Sequence, residues 1–264
     1  MMKMSDLIVT TSPNPPQLLL SLGQSLAAEI GGVFLARQGR SLNEITEMTA
    51  ATAVVTVTRQ GVTVWSEHGQ FSFHPGMAKL RILACRQGKS DKMGRAMALQ
   101  PGDSVLDCTL GLGSDAVVAS YLAGPTGAVC GLESETVIAA VVRRGLGAYS
   151  FPELPELEAA MRRITVVNTD HLTYLSALPA GSFDIVYFDP MFREPVRKSP
   201  GMNSLRWLTN DRAITREAVE QAVRVARRRV VMKERTGSPE FARLGFHAFV
   251  GAKGSRVVYG YLKV

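Results

Sequence analysis

The stretch that most constrains the fold runs from Val105 to Asp115. Val105-Leu106 is apolar and ends in Asp107, Cys108-Thr109-Leu110 follow, and Gly111 and Gly113 stand one residue apart. A helical pattern then begins at Asp115 with Ala116-Val117-Val118-Ala119-Ser120-Tyr121-Leu122. A buried strand feeding a helix through a glycine turn forms the nucleotide-binding corner of open α/β sheets. Glycine lets a ligand approach the backbone, and the first helical turn offers N–H groups without intrahelical partners. The stretch therefore predicts a sheet of parallel strands with a nucleotide or adenosyl ligand at this corner. A purely structural turn is the alternative.

The chain around it carries the same alternation. Strands are expected over 105–109, 128–132, 164–168 and 184–188, with helices over 115–122, 135–145 and 172–178 between them. A helix over 212–228 would lead into Val230-Val231-Met232-Lys233, with Arg227-Arg228-Arg229 at its C-terminal end, where cations favour the helix dipole. Segments 246–250 and 257–261 close the chain as a hairpin around Gly251-Ala252-Lys253-Gly254-Ser255. This pattern predicts a mostly parallel α/β sheet finished by one antiparallel C-terminal strand.

Upstream the pattern changes. Residues 1–75 read as a small α+β unit, and 76–264 as the larger domain. A strand over 7–11 meets Ser12-Pro13-Asn14-Pro15-Pro16, where Asn14 is a candidate helix cap with Pro15 at the first helical position. Leu18, Leu19, Leu22, Leu26 and Ile30 follow at helical spacing until Gly31-Gly32. A short strand is expected over 33–35. Ser41 and Glu44 form a capping-box pattern for a helix reaching Met48. Segments 53–58 and 62–65 make a hairpin through Arg59-Gln60-Gly61, and 71–73 adds a third strand. Residues 76–100 read as helix broken near Gly88, and Lys79, Arg81, Arg86, Lys89, Lys92 and Arg95 make its face either solvated or phosphate-contacting.

In 264 residues no apolar run reaches the length of a membrane span. The opening Met1-Met2-Lys3-Met4-Ser5-Asp6 lacks the apolar core of a secretory leader. Cys85, Cys108 and Cys130 are few, odd in number and far apart, which predicts a reducing cytoplasm rather than a disulfide framework. Four scattered histidines give no metal-ligand spacing, so no metal is expected. A net charge of +7 favours anionic partners.

Three strand ends carry the chemistry. Gly111 to Ala116 fits the G-x-G-x-x-G/A dinucleotide fingerprint and Glu133 lies at ribose-binding distance, so a nicotinamide enzyme stays open. Asp107, ahead of the glycines, favours S-adenosylmethionine, whose methionine part an acid faces there in class I methyltransferases. Glu133 can accept both hydroxyls of a ribose, or stand as an exposed loop acid. In Asn168-Thr169-Asp170-His171, Asp170 can accept from an adenine amino group beside His171, or cap the helix that follows. The sharpest stretch is Asp184-Ile185-Val186-Tyr187-Phe188-Asp189-Pro190-Met191-Phe192, a strand ending in Asp-Pro-x-Phe. An exocyclic amine on a base delocalises its lone pair into the ring and is a poor nucleophile. Asp189 and the Pro190 carbonyl can accept its hydrogens, proline fixes that carbonyl through its locked φ, and Phe192 can stack on the base. The basic loop Arg193-Glu194-Pro195-Val196-Arg197-Lys198, with Arg206-Trp207 beyond, suits phosphates and bases.

Together these motifs resemble a known family. Asp-x-Thr-x-Gly-Leu-Gly-x-Asp at 107–115, the acid at 133 and Tyr-x-Asp-Pro-Met-Phe at 187–192 are similar to the bacterial small-subunit ribosomal RNA guanine-N2 methyltransferases of the J type. Val230-Val231-Met232-Lys233 resembles a valine-rich strand ending in lysine there. The likeness covers roughly residues 76–235. It implies a Rossmann-like class I methyltransferase fold and a cytoplasmic enzyme that moves a methyl group from S-adenosylmethionine to an exocyclic amine of RNA, guanine N2 above all. It also implies a cofactor site including Ser114, Asp115, Glu133, Ser134, Asp170, His171 and Asp189, beside Asp107, Gly111 and Gly113, with Asp189, Pro190 and Phe192 at the acceptor. Serine stands at 114 and 134 where that family usually has arginine, which marks a divergent branch. A small-molecule or protein-amide methyltransferase, and an RNA-binding module without activity, are the competing readings.

Overall fold

A computed structural model of the chain describes residues 6–190, 212–252 and 254–264. They form two compact units.

The first unit gathers the residues through His74 with Thr136–Tyr149. Its sheet comprises β1 (Leu7–Thr11), β2 (Val33–Phe34), β3 (Ala53–Thr58), β4 (Gly61–Ser66) and β5 (Gly69–Ser72), in the order β2-β1-β3-β4-β5. β1 runs parallel to β2 and β3, and β3, β4 and β5 form an antiparallel meander. α1 (Gln17–Ile30) ends at Gly31, whose φ of 67° suits a residue without a Cβ. Its start differs from expectation. Asn14 sits at φ 51° and caps nothing, while Pro16 takes the cap position, because three prolines delay the first helical N–H. α2 (Leu42–Thr49) has the full capping box: the Glu44 amide donates to Ser41 Oγ at 3.2 Å, and the Ser41 amide to Glu44 Oε2 at 2.6 Å. The helix Thr136–Ala148 packs on β4 and α1, and Phe73 fills the space a side chain at Gly145 would need.

The second unit begins with α3 (Gly76–Arg86) and α4 (Lys92–Met97) and continues as β6 (Ser104–Asp107), α5 (Ser114–Ala123) and β7 (Ala128–Glu133). α6, the Thr136–Ala148 helix, follows in sequence; then come α7 (Pro155–Arg162), β8 (Ile164–Asn168), α8 (His171–Ala177) and β9 (Phe183–Phe188). After the undescribed residues 191–211 stand α9 (Arg216–Val225), β10 (Ala226–Arg235), α10 (Glu240–Leu244), β11 (Ala248–Val250) and β12 (Val257–Lys263). The strands make one sheet in the order β11-β12-β10-β9-β6-β7-β8. β6 to β10 are parallel, and β12 inserts antiparallel between β10 and β11. That is the mostly parallel sheet with one antiparallel strand expected from the alternation. Its centre is continuous and apolar, as a sheet covered on both faces requires: Leu106, Val186, Phe188 and Val230 are fully buried and pack with Ala218, Ala222 and Val225 of α9.

Two expectations are corrected here. The helix expected over 212–228 is shorter, and Arg227, Arg228 and Arg229 open β10 instead of closing a helix. Strand pairing outweighs the dipole preference because each arginine finds a partner there: Arg227 pairs with Asp184, Arg228 with Asp103, and Arg229 donates to the Ala96 carbonyl and covers the Tyr261 ring. α7 and α10 were not anticipated. Both are short, and α7 is recognisable only by Pro155 at its start, Glu156 and Glu158 in its first turn and Arg162 in its last.

Candidate active site

The glycine corner is tied to both neighbouring strands. β6 and β9 pair with Asp107 opposite Tyr187. Beyond the ladder the Cys108 amide donates to the Tyr187 carbonyl at 2.9 Å, and the Leu110 amide to the Leu132 carbonyl at 2.9 Å. The Asp189 amide donates to Thr109 Oγ1 at 2.6 Å, so the end of β9 is fastened to the residue two places after Asp107. Gly111 and Gly113 adopt φ of 49° and 76°. A Cβ at Gly111 would enter open space, with nothing nearer than the Thr109 carbonyl oxygen at 3.9 Å. Gly113 caps α5 without a side-chain bond, leaving the first amides of the helix uncapped.

Glu133 closes the far side of the corner. Its Oε2 accepts from the Gly111 amide at 3.1 Å and its Oε1 from the Glu135 amide at 2.9 Å, which aims the carboxylate across the loop. Burial raises its pKa against those two bonds. Asn168 Nδ2 donates to the Glu133 and Ser134 carbonyls at 2.8 and 3.1 Å, joining the ends of β7 and β8. Asp170 caps α8, accepting from the Leu172 and Thr173 amides at 3.0 and 3.1 Å. The His171 ring stands edge-on to Phe188, centroids 5.9 Å apart, and burial lowers its pKa.

Charge concentrates between α5, β9 and β10. Asp115 Oδ2 accepts from Tyr187 Oη at 2.8 Å and from Lys233 Nζ at 3.1 Å, and its Oδ1 pairs with Arg81. Arg81 in turn forks onto Asp91 at 2.8 and 2.9 Å, and Lys233 reaches Asp189 Oδ2 at 2.7 Å. The result is an alternating chain, Asp91–Arg81–Asp115–Lys233–Asp189, drawn from α3, α5 and β10, the residue after β9 and the turn before α4. Burial opposes ionisation of Asp115, yet Lys233 and Arg81 hold its pKa well below the usual carboxylate range. Burial would lower the lysine as well; Asp189 and Asp115 more than reverse that. Three acids share two cations, and Asp189 is the end member, pushed up by burial and by Asp115 against the pull of Lys233. Asp107, only 2% exposed, accepts from the Thr109 amide at 3.0 Å and is pushed up to about 8 by burial, with Asp115 and Asp189 adding to it.

The structure thus brings Asp107, Gly111, Gly113, Asp115 and Asp189 to one place, with Glu133 across the loop and Asp170 and His171 at the next strand end. Ser114 lies in the first turn of α5, Ser134 is exposed beyond β7, and Pro190 is half-buried after Asp189. Phe192 and the basic loop after it, with Arg206 and Trp207, lie outside the described residues. Arg81 is corrected: it is neither solvated nor a phosphate contact, because two carboxylates enclose it. Sequence reading also gave Lys233, Asp91 and Tyr187 no part in the site. The available signal was a lysine at the C-terminal end of an apolar strand, where the neighbouring β9 also ends in its acid.

Comparison with known proteins points the same way. The family described as "Putative SAM-dependent methyltransferase" matches residues 49–259. The protein YpiP of Bacillus subtilis is 38% identical over 241 residues, covering 91% of this chain and 93% of that one. Ribosomal RNA small subunit methyltransferase J of Thioalkalivibrio sulfidiphilus is 35% identical over 151 residues, 55% of this chain and 57% of the relative. Among solved structures, the SAM-dependent methyltransferase NGO1261 of Neisseria gonorrhoeae superposes with a TM-score of 0.61 at 17% identity, covering 97% of this chain and 95% of that one, a likeness of fold.

Proposed function

Because the chain belongs to the SAM-dependent methyltransferase family, we propose that it methylates an exocyclic amine of RNA, with guanine N2 of small-subunit ribosomal RNA as the acceptor. The observation that carries this reading is the attachment of Asp189 to Thr109, which sets an Asp-Pro strand end against the glycine corner. Donor and acceptor subsites then adjoin, as in-line transfer requires. The ribosomal substrate rests on the J-type relatives, whose matched region includes little more than half of each protein.

The donor set fits S-adenosylmethionine. Asp107 and Asp189 are carboxyls in excess of the local cations, and the cofactor is cationic at its sulfonium and ammonium. Gly111 leaves its face of the loop clear, and Glu133 is aimed where a ribose diol can bridge its oxygens. Asp107, Gly111, Gly113, Ser114, Glu133, Ser134, Asp170 and His171 would hold it, with Asp115 bracing the corner from α5. When bound, the cofactor supplies an electrophilic methyl group. Asp189 accepts a hydrogen bond from the target amine, which concentrates the nitrogen lone pair, and the raised pKa of the carboxyl suits it to take the proton the amine loses. Pro190 holds the adjoining carbonyl, and Phe192 stacks on the base.

Two measurements test this. Calorimetry with S-adenosylhomocysteine should show binding in the micromolar range or tighter, on the order of ordinary cofactor affinities. Nucleoside mass spectrometry of ribosomal RNA from a deletion strain should show one methylated guanosine missing, and restored by adding the purified protein. An unchanged nucleoside profile would remove the RNA assignment.

A further inference from the structure

We propose that Lys233 is a positioning residue for methyl transfer: it clamps one oxygen of Asp189 and keeps that carboxylate ionised and turned toward the acceptor. The inference rests on the proposed role of Asp189, which it deepens.

The geometry makes the clamp specific. Lys233 Nζ lies 2.7 Å from Asp189 Oδ2 and 3.1 Å from Asp115 Oδ2. Asp115 cannot follow the lysine, because Arg81 and Tyr187 secure it from α3 and β9. Arg81 is itself anchored by Asp91, whose other duty is to cap α4 through the Gly94 amide at 3.0 Å. The ammonium therefore stands at a point fixed from behind. Its other partner, Asp189, has no second cation on its carboxylate among the described residues. The lysine holds one carboxylate oxygen, Oδ2, and the other is the one proposed to meet an incoming N–H.

The electrostatic surroundings give the clamp its consequence. Asp115 on α5 faces Asp189 with negative charge, while Asp107 at the end of β6, pushed up to about 8, and the buried Tyr187 phenol on β9 are mostly protonated at neutral pH. Tyr259 on β12 lies close enough to act on both Asp115 and Lys233, and Arg81 on α3 pairs with Asp115. Lys233 is the one cation directly on Asp189 among the described residues. Without it three acids would face one another across a buried corner, and Asp189 would hold its proton at neutral pH.

The test uses the full chain as Lys233→Met, Lys233→Arg and Asp189→Asn. Carboxyl-carbon NMR on the cofactor-free protein reads the Asp189 titration, assigned by its loss in Asp189→Asn. Lys233→Met should raise the Asp189 midpoint by about one pH unit or more, and Lys233→Arg should restore most of it. In methyl transfer to ribosomal RNA, the acid limb of the kcat/KM profile should move up with it. The defect of Lys233→Met should then shrink from about a hundredfold at pH 7 to about tenfold or less at pH 9. An unmoved midpoint, or a loss equal at every pH, overturns the inference. Should Lys233→Met not fold, Lys233→Gln serves: the charge is lost with a polar tip kept, the midpoint should again rise, and an unchanged midpoint is again fatal. Wild-type rates in Asp189→Asn would instead sink the acceptor role of Asp189, which the titration alone does not touch.

Discussion

Asp107 shows how one residue can trade stability for a site. In an unfolded chain its carboxyl titrates near 4. In the fold it titrates at about 8, because burial disfavours the charge. Between those values the folded state binds the extra proton, so stability is complete below about pH 4 and declines as pH rises toward 8. Asp107→Asn keeps an oxygen for the Thr109 amide and carries no charge. Urea unfolding should find the variant and wild type nearly equal at pH 4, and the variant more stable at pH 8 by on the order of 1–3 kcal/mol. If Asp107 faces the ligand's ammonium as proposed, the variant's affinity for S-adenosylhomocysteine should nevertheless fall.

At the level of elements, the corner depends on a glycine outside the motif. Gly131 lies in β7, and a Cβ there would meet Leu110 Cδ1 at 2.5 Å. Leu110 is buried immediately before the glycine bend, so a larger residue at 131 must push the bend itself. Gly131→Val should cost about 1–3 kcal/mol in urea unfolding, and about tenfold in S-adenosylhomocysteine affinity by calorimetry. Strands and helices with a strong local pattern were legible in sequence: Ile164–Asn168 was bounded to the residue, and the Ser41–Glu44 capping box forms as written. Arg227-Arg228-Arg229 was misread because helix and strand both accept arginine locally, and the deciding partners, Asp184, Asp103 and Tyr261, are distant in sequence. The same holds for the site. Asp107, Glu133 and Asp189 are announced by their strand ends, whereas the Arg81–Asp115–Lys233 chain joins residues 34 and 118 apart along the sequence and has no local signature. The dinucleotide fingerprint at 111–116 fits as well as the methyltransferase reading does; the antiparallel insertion of β12 separates them, since a nicotinamide domain more often continues with parallel units.

For the whole molecule, charge and connectivity matter more than any contact. If the proposed RNA substrate is right, a chain with +7 net charge should bind it through phosphates as well as bases. The KM for ribosomal RNA should therefore rise steeply between about 50 and about 200 mM salt, while S-adenosylhomocysteine affinity, read by calorimetry in the same buffers, changes little. A flat KM would favour a small-molecule or protein-amide acceptor. Connectivity has its own consequence. Between β7, which ends in Glu133, and β8 the chain passes through α6, and α6 rests on β4 and α1. A fragment starting at Pro75 would carry α6 without β4 and α1, the elements it packs on. The amino-terminal portion is thus no detachable accessory: the peptide that links Glu133 to the next strand is built into it, so truncation at Pro75 removes the support of a segment both strands depend on.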